Sequence, residues 1–457
     1  MKKVLLVGVL LLSSCYLFAA PVDVNIASKV AANFYASVSD VSDVKLAFSM
    51  NFPKTTTPSL YVFDMGNGYV VTSADNRIVP VLAFSTEGGF DAGNIPAGLL
   101  YMLEEYQREM GAVFTSEKID SATTQQQWSD LLAAPKNSRK NEVVAPLIQS
   151  LWSQDAPYNS LCPSANGVRA KVGCGAMVMG QIMHYWSYPS SGIGSNGYTC
   201  NYGSYGYGDY GYISANFESV TYRYGLMLDR LYQDSPSFQV NAVATLLYHC
   251  GIAANMVYGP TASVANSSNM IDAMITHFGY PEQISYCLRS DYSETTFLNG
   301  IRGELNDSAP FFYGASGSYG GHVFICDGYR DDDYFHLNWG WGGNYNGYYL
   351  LSALNPGPYD FNSSHAVIVG IRRPEEPPVG IDESPKEHTM TLYPNPTKGK
   401  VWVDGLQKSG ESDLLELDDL QGRCIGWYEL GQIDLSDLPA GIYVLRAGRE
   451  HLKVIKQ

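Results

Sequence analysis

A helical pattern of apolar residues begins directly at a cysteine in the middle of the chain. From that cysteine, Cys174, apolar residues recur at steps of three and four: Ala176, Met179, Met183 and Trp186. This spacing is typical of one face of an α-helix. Cys174 is therefore expected in the first helical turn, where unpaired backbone N–H groups and the helix dipole favour an anion.

Two short apolar runs far downstream predict neighbouring strands. Val323 to Cys326 and Tyr334 to Leu337 are separated by a polar turn, as in a hairpin. His322 opens the first run, 148 residues after Cys174, and Asn338 follows the second. Both side chains are therefore expected at the same end of a sheet.

These residue types in this order predict a thiol nucleophile. A cysteine of ordinary pKa is mostly protonated near neutrality, so it needs a partner that stabilises its thiolate. We expect Cys174 to be the nucleophile, His322 the base and Asn338 the group that orients the imidazole through its amide oxygen. Gln154, 20 residues before Cys174, is expected to donate a hydrogen bond to the oxyanion.

Alternation of apolar and polar residues predicts a separate α+β unit before this region. A helical pattern covers 26–38 and another covers 101–114, with strand patterns at 60–63, 68–73 and 79–85 between them. Nothing in this unit supplies a nucleophile and base of its own. The polar stretch 116–140 follows, and we expect a processing cut between about Ala134 and Val144.

The C-terminal end has the pattern of a small β-sandwich. Its short strand patterns alternate with regular turns at Asn395-Pro396 and Gln421-Gly422. Prolines and charges at 373–385 predict a linker before it. The expected order is thus a signal peptide at 1–20, units at 21–140 and 141–372, the linker at 373–385 and the last unit at 386–457.

Composition narrows the function classes. With 457 residues, 45% of them hydrophobic and 16% charged, the chain is globular and long enough for about three domains. A net charge of −16 argues against nucleic acid as a partner. The histidines have no paired metal-ligand spacing, and Asp331-Asp332-Asp333 is simpler as a turn than as a calcium loop, so no metal or cofactor is expected.

The central motifs resemble the streptopain-like cysteine peptidases of the papain clan. The matching segments are Val172-Gly173-Cys174-Gly175-Ala176, Gly321-His322-Val323-Phe324 and His336-Leu337-Asn338-Trp339-Gly340-Trp341-Gly342-Gly343. The resemblance implies a papain-like α+β domain, catalytic roles for Cys174, His322, Asn338 and Gln154, and supporting roles for Gly321, Trp339 and Trp341. The family often has Val or Ala where this chain has Gly175.

The flanking units carry resemblances of their own. Residues 21–140 resemble the streptopain-family propeptide, which implies an intramolecular inhibitor and a zymogen. Leu392-Tyr393-Pro394-Asn395-Pro396 and Leu438-Pro439-Ala440-Gly441-Ile442-Tyr443 resemble the sorting domains of type IX secretion cargo. This implies recognition by outer-membrane secretion machinery and a secreted or cell-surface protein of a Gram-negative bacterium.

Several alternatives stay open. A cysteine amidase or transpeptidase acting on cell-wall peptides would use the same triad as an endopeptidase acting on proteins or peptides. His365 also opens a strand pattern and is a rival base, although burial at a strand edge is the simpler interpretation. The first unit could instead be a retained binding module, and the last one an ordinary binding sandwich.

The pattern at the N-terminus predicts a signal peptide. Lys2 and Lys3 precede an apolar run that is too short to span a membrane. Ordinary cleavage near Ala19 or Ala20 is favoured over lipidation at Cys15. Because a thiol enzyme needs a reduced nucleophile, the remaining cysteines are expected to be mainly unpaired and buried.

Overall fold

The structure is a computed structural model. It describes residues 21–40, 43–115, 121–133, 142–203, 206–317, 320–351, 365–374, 391–404, 414–420, 424–429, 431–447 and 450–457. The predicted signal peptide with Cys15, the processing window up to residue 141 and the linker beyond residue 374 lie outside the described residues. The chain divides after Pro374 into two compact units.

The first unit mixes helices and strands, as the patterns predict. Its helices are α1 Val24–Tyr35, α2 Ala97–Thr115, α3 Ser121–Ala133, α4 Cys174–Trp186, α5 Ser237–Ala253, α6 Ser267–Thr276 and α7 Glu294–Asn306, with short 3₁₀ helices at Tyr224–Leu226 and Arg289–Asp291. Its strands are β1 Lys45–Asn51, β2 Pro58–Asp64, β3 Tyr69–Ser73, β4 Val81–Ser85, β5 Glu142–Val144, β6 Ser164–Ala165, β7 Val168–Arg169, β8 Ser195–Asn201, β9 Asp209–Asn216, β10 Ser285–Leu288, β11 Phe311–Gly317, β12 Gly320–Arg330, β13 Tyr334–Asn338, β14 Gly347–Leu350 and β15 His365–Val369.

One large sheet runs through both halves of this unit. Its strand order is β1-β2-β3-β4-β14-β13-β12-β11-β15-β10, and β5 pairs with β12 off this path. The join is the antiparallel pair β4–β14, where Tyr348 lies opposite Phe84 and Tyr349 opposite Ala83. The strands predicted for the inhibitory unit therefore extend the sheet that carries His322 and Asn338. The sequence pattern did not predict this continuity.

The two faces of this sheet pack against different helices. On one face, Phe312, Ile325 and Ile368 share a core with α4 and α5. On the other face, Tyr313, Phe324 and Val367 share a core with α2 and α7. Because side chains alternate along a strand, neighbouring residues near the site belong to different cores.

The second unit is the predicted small two-sheet β structure. Its strands are β16 Thr391–Tyr393, β17 Lys400–Asp404, β18 Leu414–Asp418, β19 Cys424–Glu429, β20 Gln432–Asp434, β21 Gly441–Ala447 and β22 Glu450–Lys456. They form one sheet of order β16-β17-β20 and another of order β19-β18-β21-β22. Val401, Leu417 and Val454 are fully buried in its core. The mixed α+β architecture with a small terminal β unit is thus confirmed.

Candidate active site

Helix α4 begins at Cys174, as its apolar pattern predicts. Gly173 caps it with φ +87°, and a Cβ there would lie 2.8 Å from the Ser263 carbonyl oxygen. Only glycine tolerates both the positive φ and this close backbone. At Gly175 a Cβ would lie 3.1 Å from Met270 Sδ. This neighbour belongs to a flexible methionine side chain, so the contact is tight but adjustable.

The Cys174 thiol is held in a form that favours the thiolate. Burial raises its pKa, but the hydrogen bond from His322 and the imidazole charge lower it, as do the backbone N–H groups of Val323 and Gly175. The lowering effects win, so the pKa of Cys174 lies below its ordinary value. A thiolate is the reactive form of cysteine.

The other cysteines have different environments. Cys174 and Cys287 are free and half-buried, whereas Cys162, Cys200, Cys250 and Cys326 are free and buried. Burial raises the pKa of Cys162 to about 12 and also raises the pKa of the other three buried thiols. These four are therefore inert apolar residues at neutral pH.

His322 stands near the start of β12 and faces the core that contains α2. Its ring lies parallel to the Trp339 ring, at 12° and 6.2 Å between centroids. Its Nε2 lies 3.3 Å from the Trp339 carbonyl oxygen and 3.4 Å from Trp341 Nε1. A carbonyl oxygen can only accept, so we place a proton on Nε2 and assign it to the Trp339 carbonyl; in that state the Trp341 indole N–H cannot donate to Nε2.

Asn338 does not take the position expected for it. Its Nδ2 donates to the Ser150 carbonyl oxygen at 3.1 Å, and its Oδ1 accepts from the Gly340 N–H at 3.1 Å. The physical reason is strand alternation: Asn338 lies opposite Ile325, on the face that packs against α4. His322 and Trp339 lie towards the other face, so a backbone carbonyl approaches the imidazole instead.

Gln154 lies in an extended segment beside the start of α4. The residue is 7% exposed, and its carbonyl oxygen accepts from the Val172 N–H at 3.1 Å. This bond holds Gln154 next to the turn that carries Gly173 and Cys174. Gly321, the remaining predicted supporting residue, belongs to the wall of the cavity beside His322.

An open cavity of about 330 Å³ adjoins Cys174 and His322. Its lining is mostly apolar: Val264, Ala265, Met270, Phe312, Val323, Ala366 and Ile368, together with Ser267, Tyr286, Gly314 and Gly321. A cavity of this size and lining suits an apolar side chain of a bound polypeptide.

The rival histidine belongs to a different cluster. His365 is 5% exposed, and its Nδ1 lies 3.0 Å from the Tyr313 hydroxyl. Its Nε2 lies 3.9 Å from Glu105 on α2. Within the described ranges, no group of three or more metal-ligating side chains is close enough to hold an ion.

Helix α2 reaches the site, which the sequence did not reveal. A Cβ on Gly98 would lie 2.3 Å from His322 Cδ2, so the backbone of the first turn of α2 rests on the imidazole. The sequence patterns did not indicate Gly98 or the Trp339 carbonyl as parts of the site. A glycine early in a helix is a weak signal, and a backbone carbonyl leaves none in the sequence.

Comparisons with known proteins agree with this geometry. Residues 152–349 match the peptidase C10 family, residues 19–110 the Spi protease inhibitor family, and residues 391–457 a secretion system C-terminal sorting domain. The last match confirms the expected export through the outer membrane of a Gram-negative bacterium.

Individual relatives cover most of the chain. The thiol protease/hemagglutinin PrtT of Porphyromonas gingivalis is 30% identical over 90% of this chain, which spans only 47% of the length of PrtT. Streptopain of Streptococcus pyogenes is 29% identical over 74% of this chain and 86% of its own length. A solved fragment of Prevotella intermedia prointerpain A matches with a TM-score of 0.59 and 27% identity, over 73% of this chain and all of that fragment. The chain thus contains a segment that matches the peptidase C10 family of cysteine peptidases, with a match to a Spi-type inhibitor domain before it and a match to a secretion sorting domain after it.

Proposed function

We propose that this protein is a secreted cysteine endopeptidase, made as a zymogen, that hydrolyses proteins or peptides through Cys174. The observation that carries this proposal is the free Cys174 thiol at the start of α4, beside His322 and at the edge of an open cavity, where the imidazole lowers the pKa of the thiol. The pKa of a structural cysteine in an apolar core is instead raised by burial, as it is for Cys162.

The proposed reaction has two steps. The Cys174 thiolate attacks the peptide carbonyl carbon and forms the S–C bond, while the backbone N–H of Cys174 and the amide of Gln154 stabilise the oxyanion. His322 gives its proton to the leaving amine as the C–N bond breaks. His322 then takes a proton from water as the oxygen of that water attacks the thioester carbonyl carbon. The C–S bond breaks, the carboxylic acid product leaves, and the Cys174 thiolate and the protonated His322 are restored.

His322 needs a fixed orientation for both proton transfers. The Trp339 carbonyl accepts from its Nε2, so the other ring nitrogen faces the sulfur. Asn338 acts beside this pair rather than on the imidazole in the zymogen, because both ends of its amide are bonded elsewhere. We assign the cavity bounded by Val264, Met270 and Ile368 to an apolar substrate side chain.

The residues before the peptidase act as an inhibitor in this proposal. The first turn of α2 packs on His322 through Gly98, and Tyr345 donates hydrogen bonds to the carbonyl oxygens of Asp91 and Asn94 just before it, both at 3.0 Å. A substrate that needs the imidazole face must displace this segment. Activation therefore requires a cut before Glu142, where β5 already pairs with β12 of the peptidase.

Active-site labelling tests the proposal. The full chain is allowed to process under mild reduction and is treated with iodoacetamide, and the modified residue is mapped while casein hydrolysis is measured. Labelling of Cys174 should abolish hydrolysis, Cys174→Ala should be inactive, and Cys287→Ala, which removes another half-buried free thiol, should remain active. Release of muramyl peptides without casein hydrolysis would instead favour the cell-wall amidase or transpeptidase, and a processed, reduced protein with unlabelled Cys174 would overturn both.

A further inference from the structure

The segment that ends at Gln154 is held at alternate residues by two neighbouring strands, β12 and β13, and by the loop after β13. Residue 148 bonds to β12, residue 150 to the end of β13 and residue 152 to the loop, and residue 154 is the next in this series. Ile148, Ser150 and Trp152 are all at most 4% exposed, so water does not compete for these bonds.

The first of these bonds comes from a β-bulge. Cys326 pairs with Leu337 and Gly328 with His336, which leaves Asp327 as the extra residue of β12. Bulges of this kind re-aim a side chain and are frequent beside active sites. The Asp327 carboxylate is fully buried, and its Oδ2 accepts from the Ile148 N–H at 2.9 Å. Its backbone carbonyl also accepts from the Leu147 N–H at 2.9 Å.

His336 completes this anchor. Its Nδ1 donates to Asp327 Oδ1 at 2.6 Å, and its ring packs edge-on against Tyr348 at 5.1 Å between centroids. A buried carboxylate needs such a donor because an unpaired charge is costly away from water. The imidazole thus fixes the direction of Asp327, and Asp327 fixes Ile148.

The later contacts lead to the oxyanion residue. Asn338, two residues after His336, donates to the Ser150 carbonyl oxygen. The Gly342 N–H donates to the Trp152 carbonyl oxygen at 2.8 Å. The Gln154 carbonyl is then fixed by the Val172 N–H, two residues before the nucleophile.

We propose that the pair of the buried Asp327 and the partly buried His336 is a positioning pair for catalysis, which sets the register of segment 147–154 and thereby the place of the Gln154 amide. Asn338 supplies the middle contact of the same series. The inference rests on the proposed function of Gln154 as an oxyanion donor. It assigns His336 and Asn338 to the oxyanion side of the site, whereas the orientation of His322 comes from the Trp339 carbonyl.

A double-mutant comparison on the processed enzyme tests the inference. His336→Leu should lower kcat about 10- to 100-fold, the size that a small displacement of a reacting group produces, with little change in KM. His336→Asn, whose amide nitrogen occupies nearly the place of Nδ1, should restore most of the activity. In a Gln154→Ala background, His336→Leu should lower kcat by less than about twofold more, since residues that act through one group are not additive.

A matched control separates positioning from general stability. His249 is another buried histidine, and its Nδ1 lies 2.9 Å from the Tyr222 hydroxyl. His249→Leu should lower the melting temperature without the kcat effect. If His336→Leu does not fold, Asp327→Asn/His336→Leu, which buries no unpaired charge, is used in its place.

The outcomes are distinct. If the kcat losses of His336→Leu and Gln154→Ala multiply fully in the double variant, the two residues act independently. That result would overturn the positioning pair but not the peptidase mechanism or the oxyanion role of Gln154. Full activity of Gln154→Ala would remove the oxyanion role itself, and the positioning proposal with it, although loss of activity in Cys174→Ala would still support the thiol mechanism.

Discussion

Helices α4 and α2 both begin at the active site, and they differ in how they are held there. Helix α4 starts at Cys174 and is buried without interruption from Gly175 to Met183, almost entirely by apolar side chains. Helix α2 starts against His322 and also packs on the sheet, but it carries the buried Glu105 and the half-buried Glu109 into that contact. Helix α4 of the enzyme is held by close apolar packing. Helix α2 of the inhibitor includes ionisable groups that water can solvate after the two parts separate.

The difference has an energetic basis. Apolar surface is stable only when it stays buried, whereas a carboxylate regains its hydration when it returns to water, which offsets part of the cost of separation. Burial raises the pKa of Glu109 to about 7, against a lowering by Arg289. The contact of α2 with the sheet, which must separate on activation, is thus weaker per unit area than the contact of α4, which must persist.

Gly173→Ala should have the largest effect, and it should act on folding. A side chain there meets a positive φ and the Ser263 carbonyl at 2.8 Å, which together cost on the order of 3 kcal/mol. Urea unfolding in a Cys174→Ala background, where the chain cannot cleave itself, measures the loss. An unchanged unfolding midpoint would show that the start of α4 is as adaptable as that of α2.

Gly98→Val should act on inhibition instead. The new side chain would collide with the His322 ring and push α2 away, so the zymogen should process about tenfold faster, equivalent to about 1.4 kcal/mol of docking energy. Gly111→Val is the matched control, because a Cβ at Gly111 on the same helix meets nothing within 4 Å. Equal processing rates for the two variants would contradict the inhibitory contact, and the processed enzymes should be identical to wild type.

Glu109→Gln should change the pH dependence of processing. A pKa raised from 4.5 to about 7 means that the docked state holds the proton, so this group stabilises docking fully below about pH 4.5 and loses that contribution as pH rises to about 7. The neutral variant should therefore match wild type near pH 5 and process several-fold more slowly at pH 8. Rates are divided by the activity of processed enzyme at each pH, and parallel pH profiles would refute the role of Glu109.

His365 should affect the pH dependence of docking in the opposite direction, but equally in both proteins. Burial lowers its pKa from 6.5, although Glu105 acts to raise it, so its contribution to docking is present above about pH 6.5 and is lost as pH falls. The comparison between Glu109→Gln and wild type cancels this contribution because both proteins retain His365.

Gly175→Ala should have the smallest effect. Its Cβ would lie 3.1 Å from Met270 Sδ, and a methionine side chain adjusts easily. The gain in helix propensity and the cost of the contact should cancel to within about 0.5 kcal/mol. A large loss of stability in thermal unfolding would show that α4 is packed more rigidly than the glycine contacts indicate.

The sequence predicted the local elements of the site well. The starts of α4 and β12 follow from an apolar period and a glycine turn, so Cys174 and His322 could be expected at element ends. The α+β class and the terminal β unit followed from the same patterns. Asn338 was expected on the imidazole, but spacing alone does not determine which face of a strand a residue takes when a β-bulge shifts the register.

The sequence by itself determined the residue types, their order and the period of each element, because these depend on side chains close together in the chain. It thereby determined a thiol, an imidazole and the Asn338 amide at the ends of regular elements, and a second amide, Gln154, upstream of the nucleophile. Only the tertiary structure decided that the β4–β14 pair joins the inhibitor to the catalytic sheet, that Gly98 rests on His322, and that a carbonyl of Trp339 faces Nε2. Those contacts join residues more than 15 positions apart or use backbone atoms, which every residue has, so no local pattern records them.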